Sequence, residues 1–196
     1  MGKNNLYPIF LKLENLQTLL VGAGTVGLEK LTALLKNSPH AKVTIVADNM
    51  CDEISALAKN NPNIKLLYRK FFISDLDGKD LLILATNDPQ LHVRTKVEAR
   101  KRRILTNVAD TPDLCDFYLG SVVQKGDLKI GISTNGKSPT FAKRFREYLE
   151  EFLPDSLQEL IDNLNSYRNA LKGDFQHKVN ALNDLTSSFL SKKPLV

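Results

Sequence analysis

The sequence of 196 residues contains no tryptophan, two cysteines and three histidines. Because Cys51 and Cys115 lie far apart in the chain, they predict neither a disulfide framework nor a zinc site. The histidines are scattered, so we predict no metal site. No segment approaches the ~18 consecutive apolar residues of a membrane span, and the first residues lack the continuous apolar stretch of a signal peptide. These absences predict a cytoplasmic protein with reduced thiols and no membrane partner.

Charge is nearly balanced outside one segment. The 27 basic and 22 acidic residues give a net charge of +5, and residues 94–103 contain six basic residues and one acidic residue, which accounts for the whole excess. A protein that binds nucleic acid usually spreads its basic residues over a face. We therefore predict no nucleic-acid partner. We interpret the segment as the solvated C-terminal end of a helix, where the helix dipole favours cations.

Short apolar runs alternate with amphipathic segments over the first 110 residues or so. The runs predict strands at 18–21, 42–47, 64–68, 80–85 and 104–106, and helical spacing predicts helices at 26–35, 54–58 and 88–103. This alternation is typical of an α/β protein with a Rossmann-type, doubly wound parallel sheet. We assign this domain to residues 1–112.

The pattern changes after Pro112. Strand-like runs at 117–123 and 128–133, with a turn between them, predict a β-hairpin. A helix is predicted from Ser138 as N-cap, a second from Pro154, and a third after Gly173 to about residue 190. The hairpin therefore falls in a region spanning residues 113–153, and residues 154–196 form a small helical C-terminal domain.

The first predicted strand runs into the glycine pattern Gly22-Ala-Gly24-Thr-Val-Gly27, which opens a predicted helix. In this context the pattern indicates a dinucleotide site, with the pyrophosphate at the helix N-terminus. Asp48 ends the second strand, where a carboxylate accepts hydrogen bonds from a ribose 2′-hydroxyl and repels a 2′-phosphate. We therefore predict NAD as the cofactor. The alternative is a tight turn without a ligand, with Asp48 acting as a helix cap.

Polar residues also follow the later strands. Thr86 and Asn87 come directly after the strand 80–85, where side chains face the cofactor crevice of such a sheet or cap the next helix. Asp110 follows the last strand of the sheet. It is a candidate general base or substrate anchor, or alternatively an ordinary turn residue.

Five segments occur in an order that resembles the precorrin-2 dehydrogenase family, which includes the N-terminal half of siroheme synthases. They are Tyr7-Pro-Ile-Phe10, VGAGTVGLEK at 21–30, ATND at 85–88, NVADTPDLCDF at 107–117 and STNGKSPTFAKRFREYLEEFLP at 133–154. The last segment is far more specific than the glycine pattern.

The resemblance implies NAD-dependent oxidation of precorrin-2 to sirohydrochlorin by a homodimer, with residues 113–153 mediating dimerisation. It implies that Asp110 is the catalytic residue. The expected cofactor-binding set is Gly22, Gly24, Thr25, Val26, Gly27, Asp48, Asn49, Thr86, Asn87, Asn107 and Val108. Thr134 stands where some members of the family carry a phosphorylated serine.

The substrate carries eight carboxylates, so its site is expected to contain basic groups and backbone donors. A loop before the predicted helix at Ser138 supplies both. The expected substrate-binding set is Thr134, Asn135, Gly136, Lys137 and Ser138.

Three alternatives stay open. Some members of the family also insert iron, which would make ferrous ion a second substrate of a bifunctional dehydrogenase and ferrochelatase. A protein of another class, an NAD-sensing regulatory module, would bind NAD without turnover. A nucleic-acid binder would depend on residues 94–103 alone.

Overall fold

A computed structural model describes residues 3–187 of the chain. The chain divides into two compact units. The first contains the residues up to Gly120 together with Ser133–Pro139, and the second contains Ser121–Ile132 and the residues from Thr140 onward. Among the described residues, no helix is both long enough and apolar enough to cross a membrane.

A parallel sheet of five strands forms the centre of the first unit. Its strand order is β3-β2-β1-β4-β5, and all four pairings are parallel. This is the order of a dinucleotide-binding sheet, in which the direction of winding reverses between β1 and β4. The strands are β1 (Gln17–Ala23), β2 (Lys42–Met50), β3 (Ile64–Tyr68), β4 (Leu81–Leu84) and β5 (Leu105–Val108).

The sheet has a buried core on each face, because residues alternate sides along a strand. In β1, Leu20 belongs to one core with Leu31 and Leu34, whereas Leu19 belongs to the other with Ala99. The three helices that connect the strands are α1 (Thr25–Asn37), α2 (Asp52–Lys59) and α3 (Pro89–Lys101). Helices therefore cover both faces, and the predicted Rossmann-type, doubly wound sheet is confirmed.

The described part of the second unit contains an antiparallel hairpin and three helices. The hairpin strands are β6 (Ser121–Lys125) and β7 (Leu128–Ile132), and the helices are α4 (Pro139–Phe152), α5 (Leu157–Ala170) and α6 (Phe175–Thr186). The side chain of Gln158 in α5 holds the hairpin turn, because its Oε1 accepts from Asp127 N at 2.7 Å and its Nε2 donates to Asp127 Oδ2 at 2.9 Å.

Some boundaries differ from the sequence prediction. Strand β2 continues to Met50, because Ala23 pairs with Met50 after a register shift between the pairs at Val21 and Ala23. Residues 117–120 precede the hairpin without strand pairing, so its first strand begins at Ser121. The predicted end of the last helix near residue 190 lies outside the described residues.

Candidate dinucleotide-binding and catalytic site

The glycine turn joins β1 to α1 and depends on two close backbone approaches. Gly22 has φ +98°, and a Cβ added there would lie 2.4 Å from the carbonyl oxygen of Ala85. A Cβ at Gly27 would lie 2.3 Å from the carbonyl oxygen of Gly22. These two glycines are therefore required by the packing of the turn, whatever the turn binds.

Gly24 has different surroundings. Apart from its two neighbours in the chain, no described residue has an atom within 4 Å of a Cβ added at Gly24. Gly24 is the N-cap of α1, and the first N–H groups of a helix have no partner inside it. An open backbone position beside free N–H donors fits a pyrophosphate, so the residues present fit a dinucleotide at this turn.

Asp48 and Asn49 lie in the last residues of β2, next to the glycine turn. Met50 pairs with Ala23, and Cys51 N donates to Ala23 O at 3.1 Å, which holds the end of β2 against the end of β1. Both Asp48 and Asn49 are exposed. An exposed carboxylate at this position can reach a ribose beyond the turn.

A cleft opens at the carboxyl ends of β4 and β5. It has a volume of about 280 Å³, and we call it the Asp110 cleft. The first turn of α1 contributes Val26, which connects the cleft to the glycine turn. The lining residues are Val26, Ala85, Thr86, Asn87, Pro89, His92, Ala109, Asp110 and Thr111.

Asp110 is exposed at this cleft and has an unusual backbone. Its φ of +57° lies in the left-handed region, which is uncommon for a residue other than glycine. Aspartate tolerates this conformation better than most residues do, and strained backbone positions occur often at active sites. The carboxylate therefore sits on a tight turn directly after the sheet.

His92 lines the same cleft and was missed at the level of sequence. Its side chain is 5% exposed, and its Nε2 shares a hydrogen bond of 2.9 Å with Thr86 Oγ1. The buried residues of α3 are His92, Thr95 and Ala99, at helical spacing. That spacing was the available signal, since it places His92 on the face that packs against the sheet.

Asn107 and Val108, two of the predicted cofactor-binding residues, are buried. Asn107 Nδ2 donates to Phe117 O at 2.9 Å, and Val108 N donates to Cys115 Sγ at 3.2 Å. The structure therefore places these groups in contacts with the segment that follows Asp110, and neither residue lines the cleft.

The predicted substrate-binding residues form a loop in the first unit. Thr134 organises it, because its Oγ1 accepts from Ser138 N at 3.1 Å and its carbonyl oxygen accepts from Lys137 N at 3.1 Å. Asn135 and Gly136 have left-handed backbones, with φ of 54° and 74°. Lys137 is exposed, and none of the five residues lines the Asp110 cleft.

The structure thus brings together four of the predicted site residues, Val26, Thr86, Asn87 and Asp110, in one cleft. A larger cavity of about 570 Å³ lies between residues 71–73 and α3, and it contains no predicted site residue. Its lining is mostly apolar and includes no residue of the glycine turn or of a strand. The smaller cleft has the position that ligands occupy in open α/β sheets.

The sheet order, the glycine turn and the cleft at the switch point define a dinucleotide-binding α/β protein. Comparison with known families agrees with this class. The chain belongs to the family described as "Putative NAD(P)-binding", whose model matches residues 9–121. A second model, described as "Sirohaem biosynthesis protein central", matches residues 125–151. The prediction of a nicotinamide dinucleotide as cofactor is therefore confirmed at the level of the family.

Two curated relatives are siroheme synthases. The chain is 34% identical over 171 residues to one from Vesicomyosocius okutanii subsp. Calyptogena okutanii, covering 87% of this chain and 36% of that protein. It is 35% identical over 166 residues to one from Thioalkalivibrio sulfidiphilus, covering 85% and 33%. The chain therefore spans about a third of the length of these relatives.

Among solved structures, the fold is similar to that of "SirC, precorrin-2 dehydrogenase". The TM-score is 0.74 at 23% identity, over 95% of this chain and 94% of that one. This likeness confirms the fold over both units of the chain, including the hairpin and the helices that follow it.

Proposed function

We propose that this protein is a dehydrogenase that uses NAD to oxidise precorrin-2 to sirohydrochlorin in siroheme biosynthesis. The observation that carries the proposal is the Asp110 cleft, which places a carboxylate at the end of β5 beside the first turn of α1. The names of the siroheme synthase relatives and of the similar solved structure support the choice of substrate.

The proposed preference for NAD depends on Asp48. Its exposed carboxylate at the end of β2 would accept hydrogen bonds from a ribose 2′-hydroxyl and would repel a 2′-phosphate. Its neighbours Ala47 and Asn49 are uncharged, so nothing next to it in the chain offsets that repulsion.

The proposed reaction removes a hydride and a proton from the macrocycle. When bound, NAD supplies the hydride acceptor. The Asp110 carboxylate takes the proton, because it is exposed at the cleft and its turn holds it beside the polar ends of β4 and β5. Thr86, held by His92, presents a hydroxyl to the same cleft and orients what binds there.

The substrate carboxylates are assigned to the loop 134–138. Lys137 supplies a positive charge, and Thr134 fixes the loop through its bond to Ser138 N. The turn leaves the backbone of Asn135 and Gly136 exposed, where it can approach a ligand closely. Because Thr134 Oγ1 is used in this turn, phosphorylation there would cost the loop a hydrogen bond.

The proposal includes a homodimer that forms through α4. Four aromatic side chains follow one face of that helix, and neighbouring rings stack at 5.7, 6.3 and 5.8 Å between centroids. All four are between 39% and 65% exposed. Such a continuous apolar stripe on the surface marks an interaction site. The residues are Phe141, Phe145, Tyr148 and Phe152.

The proposed location is the cytoplasm. Cys51 and Cys115 are both free thiols, as expected for a protein of a reducing compartment. The proposal therefore describes an enzyme of a reducing compartment, acting on a small tetrapyrrole.

The deciding experiment is an anaerobic assay of the purified protein with precorrin-2 and NAD, followed by the absorbance of the macrocycle and of NADH. We expect conversion to sirohydrochlorin with one NADH formed per turnover. Asp110→Asn keeps the shape of the side chain and removes the base, so kcat should fall by roughly 10²–10⁴-fold while NAD still binds. No conversion by the wild-type protein would refute the assignment. NAD binding without turnover would instead identify an NAD-sensing module.

Iron insertion is a second candidate, because the curated relatives are siroheme synthases. A base that removes the pyrrole protons is needed for that step, and Asp110 could serve. The test adds ferrous or cobaltous ion to the protein with sirohydrochlorin. A metal-dependent spectral change above the uncatalysed rate would establish a bifunctional enzyme.

A further inference from the structure

Strand β5 is the last strand of the sheet, so half of its backbone groups face away from β4. Leu105 N and Ala109 N donate inward, to Asp80 O and Leu84 O. The amides of Thr106 and Val108 point to the open edge. Unpaired groups at a sheet edge are costly when buried, and Thr106 and Val108 are both buried.

Two consecutive residues, Cys115 and Asp116, satisfy this edge. Asp116 Oδ2 accepts from Thr106 N at 2.9 Å, and Asp116 N donates to Thr106 O at 2.7 Å. The Cys115 thiol does the same for Val108, accepting from its N–H at 3.2 Å and lying 3.3 Å from its carbonyl oxygen. We call this pair of contacts the edge clamp. Three side-chain contacts and one main-chain hydrogen bond thereby occupy the edge that a sixth strand would otherwise pair with.

The edge clamp also closes the turn that carries Asp110. Cys115 Sγ lies 3.5 Å from Thr111 O as well, so the thiol contacts residues on both sides of Asp110. Asn107 Nδ2 reaches the same sulfur at 3.7 Å. The left-handed backbone of Asp110 lies inside this closed segment, and such a conformation persists only where its surroundings hold it.

From these contacts we infer that Cys115 is a positioning residue of the dehydrogenase, acting through the edge clamp to hold the Asp110 carboxylate at the cleft. The thiol is used as a hydrogen-bonding group of the correct size, without redox chemistry. This inference rests on the proposed function, because it assigns Cys115 to the turn of the proposed proton acceptor. It also gives Asn107 and Val108 a role that differs from direct cofactor binding.

The test compares two replacements of the thiol. Cys115→Val replaces the sulfur by two methyl groups and suits the extended backbone at this position (φ −87°, ψ 136°), but it has no hydrogen-bonding group. Cys115→Ser keeps a donor and an acceptor. We expect kcat to fall roughly tenfold to a hundredfold in Cys115→Val and to recover largely in Cys115→Ser, while the Kd for NAD is unchanged in both. Cys51→Ala, which changes the other free cysteine, is the matched control and should keep full activity.

A purely structural role would lower the melting temperature of Cys115→Val and leave kcat per folded molecule unchanged. That result would overturn the inference, as would equal kcat values for the valine and serine variants. A lower kcat together with an unchanged Kd for NAD is therefore the result that distinguishes a positioning role of Cys115 from a purely structural one.

Hydrogen exchange of the wild-type protein tests the edge clamp independently of activity and of whether any variant folds. The amide of Val108 should exchange slowly, like an amide inside the sheet, and faster in Cys115→Val. Exchange at the rate of an exposed loop would show that the thiol does not hold this amide, and would overturn the inference. If the wild-type protein had no dehydrogenase activity, the proposed function would fail, while slow exchange at Val108 would still establish the edge clamp.

Discussion

The three glycines in the first turn have two different kinds of surroundings, although their spacing in the sequence gives no sign of this. Gly22 and Gly27 are each next to a backbone carbonyl oxygen that a Cβ would strike, whereas Gly24 faces open space. Gly22 and Gly27 are therefore required by the packing of the turn, and we propose that Gly24 leaves room for the pyrophosphate of the dinucleotide. Substitutions at these positions separate folding from binding.

We expect Gly24→Ala to fold normally and to bind NAD more weakly, by roughly tenfold or about 1.4 kcal/mol, because its methyl group occupies the approach of the pyrophosphate. Gly27→Ala should instead lower the free energy of unfolding by about 1–3 kcal/mol, as expected for an overpacked contact. Calorimetric titration with NAD and denaturant unfolding measure the two effects. Equal destabilisation by both substitutions would contradict this division of roles.

Asp48 offers a prediction about cofactor choice. Asp48→Ser removes the charge that repels a 2′-phosphate, so the ratio of Kd for NADP to Kd for NAD should decrease, mainly through tighter NADP binding. The residue is exposed, so the melting temperature should not change. Unchanged selectivity in fluorescence titrations with NADH and NADPH would rule out the ribose contact.

At the scale of single elements, most of the basic segment at residues 94–103, which accounts for the net charge, lies in helix α3. Lys96 pairs with Asp116, Lys101 with Glu98, and Arg102 with both Asp77 and Glu98. Arg100 and Lys101 occupy the last turn, where the helix dipole favours cations. Half of the six basic residues therefore have acidic partners in the fold, which supports the interpretation of a solvated helix end.

Another ion pair, between Arg69 and Asp75, makes the stability of a short connection sensitive to acid. Arg69 Nη2 lies 2.6 Å from Asp75 Oδ1, and Phe72 N donates to Asp75 Oδ2 at 2.9 Å. The hydrogen bond from Arg69 holds the pKa of Asp75 below its usual value, and the Phe72 amide adds to the effect against the opposing cost of burial. The Asp75 carboxylate therefore favours the folded state when it is ionised.

The folded state lowers the pKa of Asp75. Its ionised carboxylate therefore stabilises the fold fully above the pKa that Asp75 has in the unfolded chain. This stabilisation is lost as the pH falls through the folded-state pKa of Asp75. Asp75→Asn should therefore lower the free energy of unfolding by about 1 kcal/mol near neutral pH and by less in strong acid. Urea unfolding at several pH values measures this. Asp77→Asn, at an exposed pair with Arg102, is the control and should change little. Parallel curves for wild type and Asp75→Asn would contradict the linkage.

At the scale of the whole molecule, the two compact units have different features. The first contains the sheet, the glycine turn and the Asp110 cleft, and the second contains the hairpin and the exposed aromatic stripe of α4. The family model described as "Sirohaem biosynthesis protein central" covers residues 125–151, which include most of that stripe. The proposed division is therefore cofactor binding in one unit and assembly in the other.

The proposed dimer predicts that a charge in the aromatic stripe disrupts association. Tyr148→Glu should weaken the dimer by roughly 2 kcal/mol or more, because an anion would be buried at the centre of an apolar contact. Light scattering over a range of concentrations measures the mass. Lys143→Ala changes an exposed residue on nearly the opposite side of α4 and should leave the mass unchanged. A wild-type protein that is monomeric at all concentrations would refute the dimer.

The sequence by itself determined the order of strands and helices in the first unit, the position of the glycine turn and the hairpin that follows. These features depend on local patterns, because hydrophobic period, turn residues and helix caps act over a few residues. The run of β4 is entirely apolar, as is typical of a strand buried on both faces of a parallel sheet, and all four of its residues are buried between β1 and β5. The local pattern was misleading just before the hairpin. Residues 117–120 are rich in strand-forming side chains, which predicted a strand, and yet they remain unpaired.

Only the tertiary structure decided which polar residues share a cleft and which are used by the fold. Asp110 and Asn107 are neighbours in one motif, yet Asp110 faces the cleft and the Asn107 side chain is bonded to Phe117. His92 joins the cleft through Thr86, six residues earlier in the chain. Cys115 bonds to the open edge of β5 because no strand of the described residues pairs with that edge. Such contacts depend on strand order and on the direction of each side chain, which bring together residues that no local pattern relates.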